Sequence, residues 1–212
     1  MRRATMAVTA VAVLAGAAGV WTVGAGGAGA RAWEAEAALH DAWGNRLGTV
    51  SFEGDEDHTS VRLKLKSVGQ VPAHLAATDA FHGFHIHAND VAANGDGCVA
   101  DPALASSTWF TAVDGHWKKD PSANHSAHTG DLPSVLVLPD GTAELRFHTE
   151  RFDPSELKGR AVVLHAGRDN FGNVPLGGAA NQYTANAADA VTATNNTGNA
   201  GDRIACGVIE LG

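Results

Sequence analysis

Cationic charge is scarce in this chain. Lys and Arg number 15 against 23 Asp and Glu, a formal net charge of −8 across 212 residues. That balance argues against nucleic acid as a partner, because phosphate binding rests on basic surface. Cysteine is rarer still, with only Cys98 and Cys206, so no lipid-bearing cysteine sits near the N-terminus. No long amphipathic helix pattern and no internal repeat appear. Aromatics are few, at 6%, and Gly is abundant, at 25 residues, but neither feature suggests a fibre or disorder for the whole chain. The length makes one domain the default, with ample material for a core.

What is present at the N-terminus reads as a targeting segment. Arg2 and Arg3 precede an uncharged Ala/Val run from Ala7 to Val23, and Ala28-Gly29-Ala30 offers a cleavage pattern before Arg31. Residues 1–30 are therefore expected to be a signal peptide, with the domain over 31–212. The other reading is an uncleaved anchor, and only then would a membrane be a partner. For a span, residues 7–23 are somewhat short and poor in Leu and Ile. Cleavage removes two arginines and no acid, taking the formal charge from −8 to −10. Export implies an extracellular, periplasmic or cell-envelope location. An even cysteine count in an exported chain favours a disulfide, and two cysteines allow one pairing; two buried free thiols are the alternative.

From Arg31 onward the pattern is β almost throughout. Ala35, Ala37 and Leu39 alternate with polar residues, and Val61, Leu63 and Leu65 alternate with Arg62, Lys64 and Lys66. Further strands are expected at Leu47–Phe52, around residues 81–87, and at Ser134–Leu138, Ala143–His148, Ala161–His165 and Ile204–Leu211. Asp153–Leu157 reads as a short helical turn. Eight short strands predict an all-β, eight-stranded Greek-key β-sandwich or barrel. Two long polar segments, 88–131 and 167–202, are expected to be functional loops.

The organising stretch is Phe81-His82-Gly83-Phe84-His85-Ile86-His87. Along a strand, alternate side chains share a face, so His85 and His87 stand side by side with Ile86 turned away. A lone His-x-His is weak evidence, and solvated histidines explain it equally well. The later residues shift the balance towards metal. His116, His125, His128, Asp131 and His165 make seven candidate ligands, too many for one tetrahedral site and suited to two adjacent ones. One set is all imidazole: His85, His87 and His165, with His116 as a fourth. Such a set favours Cu(II). The other is His116, His125, His128 and Asp131, which favours a closed structural Zn(II) site. An imidazolate can ligate through both nitrogens, so His116 could serve both.

The sequence resembles the copper/zinc superoxide dismutase family, of exported bacterial type, from about Ala35 to Leu211. The resemblance rests on His82-Gly83-Phe84-His85-Ile86-His87, Gly130-Asp131-Leu132-Pro133, Val163-Leu164-His165-Ala166-Gly167-Arg168-Asp169-Asn170 and Gly198-Asn199-Ala200-Gly201-Asp202-Arg203-Ile204-Ala205-Cys206-Gly207-Val208-Ile209. It implies His85, His87 and His165 as copper ligands, and His116 as a copper–zinc bridge. His125, His128 and Asp131 would complete the zinc site. Asp169 would hydrogen-bond a copper-ligand and a zinc-ligand histidine. Arg203 would attract the anionic substrate beside the open copper position, and Cys98–Cys206 would tie the first long loop to the last strand.

The implied activity is dismutation of superoxide to O₂ and H₂O₂. Redox copper would serve both half-reactions, with His116 passing a proton and zinc holding the bridge. A non-catalytic copper-binding protein on the same scaffold is the alternative, although it would need neither Arg203 nor an open copper position. A homodimer stays open. Three departures from the family pattern stand out. Asp114 lies close to the bridge, where relatives carry small residues. His125 and His128 are only three residues apart. The segment 171–202 contains no Lys, leaving Arg203, Arg168 and the metals to attract an anion. His40, His58, His74 and His148 are expected to be solvated or structural. His82, at an odd offset from His85, reads as a structural hydrogen-bonder on the opposite face.

Overall fold

The computed structural model describes residues 33–54, 57–66, 81–95, 97–171 and 188–212. The N-terminal segment 1–30 and His74 lie outside the described residues. Among the described residues nine strands form: β1 (Trp33–Asp41), β2 (Arg46–Gly54), β3 (Thr59–Leu65), β4 (Phe81–His82), β5 (Phe84–His87), β6 (Val135–Leu136), β7 (Ala143–Thr149), β8 (Ala161–His165) and β9 (Arg203–Leu211). Seven of them make one curled antiparallel sheet in the order β5-β8-β9-β1-β2-β3-β7, while β4 pairs with β6. β4 and β5 are one stretch broken at Gly83, so the eight strands expected from the sequence are all present. The curled sheet forms a half-barrel, consistent with the Greek-key barrel.

Alternation explains which face each strand buries. Ala35, Ala37 and Leu39 of β1, Val50 and Phe52 of β2, and Val61 and Leu63 of β3 all enter one core. Register keeps these rows aligned, with Phe52 opposite Val61 and Val50 opposite Leu63. On the outer face, Arg62 of β3 pairs with Glu144 of β7 at 2.6 Å. The expected turn after Asp153 is a 3₁₀ turn, Pro154–Leu157, closed by a reciprocal Asp153–Glu156 capping box.

β8 departs from simple alternation, since all five of its residues are buried. Val162 and Leu164 face the main core. Ala161 and Val163 face a second cluster of Ala42, Trp109, Phe110, Val113 and Cys206. The 88–131 segment therefore lies over the outer face of the β8–β9 region. The disulfide Cys98–Cys206, with Cα atoms 5.5 Å apart, fastens it there.

The 167–202 segment is more than a loop. It contains an α-helix, α1 (Ala188–Thr197), that the sequence reading missed. Among the described residues no helix is long and apolar enough to cross a membrane.

Candidate metal centre

Strand pairing brings the histidines together. His85 lies opposite Val163 and His87 opposite Ala161, so both imidazoles share the covered outer face with those residues. Phe84 and Ile86 point into the core instead. The far edge of β5 is filled by the long loop rather than by a strand. Trp117 and Gly130 bracket Ile86: Trp117 N–H donates to Ile86 O at 2.8 Å, and Ile86 N–H to Gly130 O at 2.8 Å. Isolated bridges set His116 beside His87 and Asp131 beside His85. Gly130 is needed for this approach, because a Cβ there would stand 2.2 Å from Ile86 O.

The result is a quartet of buried imidazoles, His85, His87, His116 and His165, whose candidate donor atoms lie within 4.8 Å of one another. In each ring one nitrogen has no hydrogen-bond partner: Nδ1 of His85 and Nε2 of His87, His116 and His165. For three rings the other nitrogen donates, fixing the tautomer. His85 Nε2–H donates to Asp169 Oδ1 at 2.8 Å, His87 Nδ1–H to Asp114 O at 2.8 Å, and His165 Nδ1–H to Gly201 O at 3.0 Å. Four buried lone pairs pointing at one another would be costly without a shared cation. Burial lowers His85 to about 4, and His116 and His165 to about 3, so the rings are neutral, as metal ligation requires.

A second focus lies on the other side of His116. Three imidazole nitrogens crowd one carboxylate oxygen, Asp131 Oδ1: His116 Nδ1 at 2.9 Å, His125 Nδ1 at 3.1 Å and His128 Nδ1 at 3.2 Å. His116 Nδ1 and His128 Nδ1 are 3.3 Å apart. A tetrahedral zinc with ligands about 2.0–2.1 Å away has ligand–ligand edges of about 3.3–3.4 Å. Four of the six edges are close to that length. His125 Nδ1, although near the carboxylate, lacks hydrogen-bond geometry towards it, which suits a ligand edge better than a hydrogen bond. Nε2–H of His128 donates to Ala123 O at 3.1 Å, leaving its Nδ1 lone pair inward.

Donor atoms of His85, His116, His125 and Asp131 also lie within 4.8 Å of one another. We favour His128, because Nε2 of His85 is committed to Asp169 and its Nδ1 belongs to the first quartet. Burial alone would lower His125, but the Asp131 and Asp169 carboxylates outweigh it and raise the ring to about 9. A cation is at home between them. The residues thus fit an all-nitrogen copper site and a closed His₃Asp zinc site sharing His116.

Comparison with known proteins agrees with this geometry. Residues 46–209 match the family model described as copper/zinc superoxide dismutase (SODC). The chain belongs to the copper/zinc superoxide dismutase family. It is 32% identical over 206 residues to "Superoxide dismutase [Cu-Zn]" of Mycolicibacterium paratuberculosis, covering 91% of this chain and 85% of the relative. The protein of the same name from Mycobacterium tuberculosis is 33% identical over 172 residues, with 80% and 67% covered. "Extracellular superoxide dismutase [Cu-Zn]" of Brugia pahangi is 29% identical over 179 residues, with 82% and 74% covered. The chain is accordingly a superoxide dismutase that uses copper and zinc.

Asp169 and Arg203 both lie against the histidines. Asp169 Oδ1 accepts from His85 and lies 3.5 Å from His125 Nε2. Its other oxygen accepts from Ser134 Oγ at 2.6 Å, a partner that sequence reasoning missed. Burial opposes ionisation of Asp169, but the two histidines and Ser134 hold its carboxyl well below the usual range. Arg203 sits opposite His165 in the β8–β9 register. Its guanidinium donates to Phe110 O and Asp114 O. His82 is buried beneath the site with Nδ1 2.8 Å from His165 O, the structural role expected of it.

Asp114, unexplained by sequence, now has an account. Its carboxylate turns away from the histidines. It accepts from Asp90 N–H at 2.8 Å, Val91 N–H at 2.9 Å and Asn94 Nδ2 at 2.7 Å. The acid staples the loop and is no ligand.

Proposed function

We propose that His85 Nδ1, His87 Nε2, His116 Nε2 and His165 Nε2 hold copper. His116 Nδ1, His125 Nδ1, His128 Nδ1 and Asp131 Oδ1 hold zinc, with His116 bridging the two. The observation that carries this reading is the set of partnerless buried nitrogens facing one another, with the second nitrogen of His116 directed to the Asp131 focus. Copper, when bound, would supply the one-electron redox chemistry that dismutation of superoxide requires. Two superoxide anions and two protons thereby give O₂ and H₂O₂. Among the chain's own residues, His116 would hold and pass a proton at Nε2 when that nitrogen is not serving as a ligand. Asp169 fixes His85 and faces His125, so both metal sites keep their spacing. Arg203 offers a rigid cationic fork to the small anion, held in place by two main-chain carbonyls.

The same reading covers location. The disulfide, the targeting pattern of residues 1–30 and a relative named extracellular all support export. Metal analysis of the purified protein beside a superoxide-consumption assay tests the assignment. His87→Ala should lose copper and activity while retaining its fold; activity at the wild-type level in that variant would sink the copper assignment. Sequencing the N-terminus of the exported protein tests cleavage before Arg31.

A further inference from the structure

Arg151 stands just past β7 and reaches back across the His125–Asp131 loop. Its Nη1 donates to His128 O and Asp131 O, each at 3.0 Å, and its Nη2 donates to Ser126 O at 3.0 Å. Two of those carbonyls belong to proposed zinc ligands, and the third belongs to the residue directly after His125. The loop also grips in return. Lys119, three residues after His116, donates from Nζ to Arg151 O at 3.1 Å and to Glu156 Oε2 at 2.8 Å. The corner between β7 and the Pro154–Leu157 turn is therefore fastened to the loop in both directions.

The loop needs such a hold. Only two residues, Ser126 and Ala127, separate His125 from His128, and Ser126 is forced to φ +77°, a left-handed conformation that non-glycine residues rarely adopt. A segment of that kind persists only when its surroundings over-determine it. The planar guanidinium fork can meet three carbonyls at once, whereas a Lys ammonium is a single point charge on a flexible stem. The anchor beneath is firm: Phe152 is buried and packs edge-on against Phe52 at 6.3 Å between ring centroids. Arg151 itself is exposed, so replacing it leaves the core untouched. It contacts none of His85, His87 or His165 in the interactions described above.

We propose that Arg151 is the positioning residue of the zinc site. It sets the 125–131 loop so that His125, His128 and Asp131 face one point, and it has no part in holding copper. The inference rests on the zinc assignment made above.

The test compares wild type, Arg151→Lys and Arg151→Met as full-length purified chains, freed of metal and then reloaded. Zinc affinity is measured by competition with a chromophoric chelator, and site geometry by the visible absorption of Co(II) bound in place of zinc. Copper stoichiometry is followed separately. Loss of an outer-shell support typically weakens metal binding about 10–100-fold. Arg151→Met should fall in that range and lose tetrahedral Co(II) intensity, Arg151→Lys should fall between it and wild type, and copper uptake should be unchanged in both. If both variants lower only the melting temperature while zinc affinity and the Co(II) spectrum stay at wild-type values, Arg151 is merely structural and the proposal fails alone. A wild-type chain that takes up no zinc, or binds it as well after His128→Ala, overturns the ligand assignment and the proposal with it. Should Arg151→Met not fold, the Lys variant decides on the same readings.

Discussion

The imidazole of His87 is aimed by the backbone of Asp114, whose carbonyl oxygen accepts His87 Nδ1–H at 2.8 Å. Arg203 donates to that same oxygen, so a proposed copper ligand and the arginine proposed to attract the substrate hang from one atom. Asp114 holds φ +64°, where a side chain is strained, and its three carboxylate hydrogen bonds offset that strain. Asp114→Gly removes the carboxylate but adopts this φ freely; Asp114→Ala removes the carboxylate and keeps the strain. We expect Ala to lose about 1–2 kcal/mol of stability and Gly clearly less. Both should shift the visible Cu(II) absorption and lower the rate several-fold. Urea denaturation and the Cu(II) spectrum together check this, and unchanged spectra would mean the carboxylate does not set the His87 angle.

Asp169 joins a histidine of each proposed metal site. Its Oδ1 accepts from His85 and faces His125, while Ser134 holds the other oxygen. Asp169→Asn retains an acceptor oxygen but loses the charge and places an amide where one lone pair is needed. Both copper and zinc affinities should drop, by about 10–100-fold each. Ser134→Ala should do the same more weakly. Chelator competition for each metal is the measurement, and a loss confined to one metal would show that Asp169 serves only that site.

Much of this centre was legible before any coordinates. Period-two alternation placed His85 and His87 on one face and Phe84 and Ile86 on the other, and the structure sets Phe84 and Ile86 in the main core and the two histidines opposite Val163 and Ala161 on the other face. The odd offset of His82 likewise predicted its separate role. What could not be read depends on contacts distant in sequence. Ser134 and Arg151 carry no local pattern and gain their roles only when the chain folds the loop against them. Asp114 looked anomalous because it stands two residues before the proposed ligand His116, while its carboxylate partners lie twenty or more residues earlier. Helix α1 escaped because it contains three Thr and two Asn, weak helix formers with no apolar stripe. Tertiary contacts define it instead. His125 N–H donates to Asn195 O at 2.9 Å, and Gly198, at φ +64°, ends the helix where any Cβ would strike His125 and Asp169.

The disulfide should be worth measuring by itself. Cys98 and Cys206 are 108 residues apart, and closing a loop of that size contributes about 4–5 kcal/mol in the chain-entropy account. Cys206 also lies within the apolar cluster under the loop that carries Phe110 and Val113. Reduction should therefore lower the melting temperature and loosen the carbonyls that hold Arg203. Mass analysis without reductant should show the two cysteines joined. Two alkylatable thiols in the native exported protein would rule the bond out.

Arg203 is where charge and placement can be separated. Attraction between exposed charges is screened over about 8–10 Å near physiological ionic strength, so a steered enzyme slows as salt rises. The segment 171–202 supplies no Lys, and the chain is acidic overall, which leaves Arg203 as the chief cation beside the site. Its guanidinium, however, is also bound to Phe110 O and Asp114 O. A lysine keeps the charge but cannot reproduce that two-carbonyl fork. Arg203→Lys should therefore keep most of the salt dependence while losing rate at every salt concentration. Arg203→Glu should cut the second-order rate more than tenfold, without loss of copper, and flatten or invert the salt dependence. Stopped-flow superoxide decay across a salt series, with copper content measured on the same samples, distinguishes the two effects. If Arg203→Glu keeps both rate and slope, the anion is guided from elsewhere, with Arg168 the next residue to change.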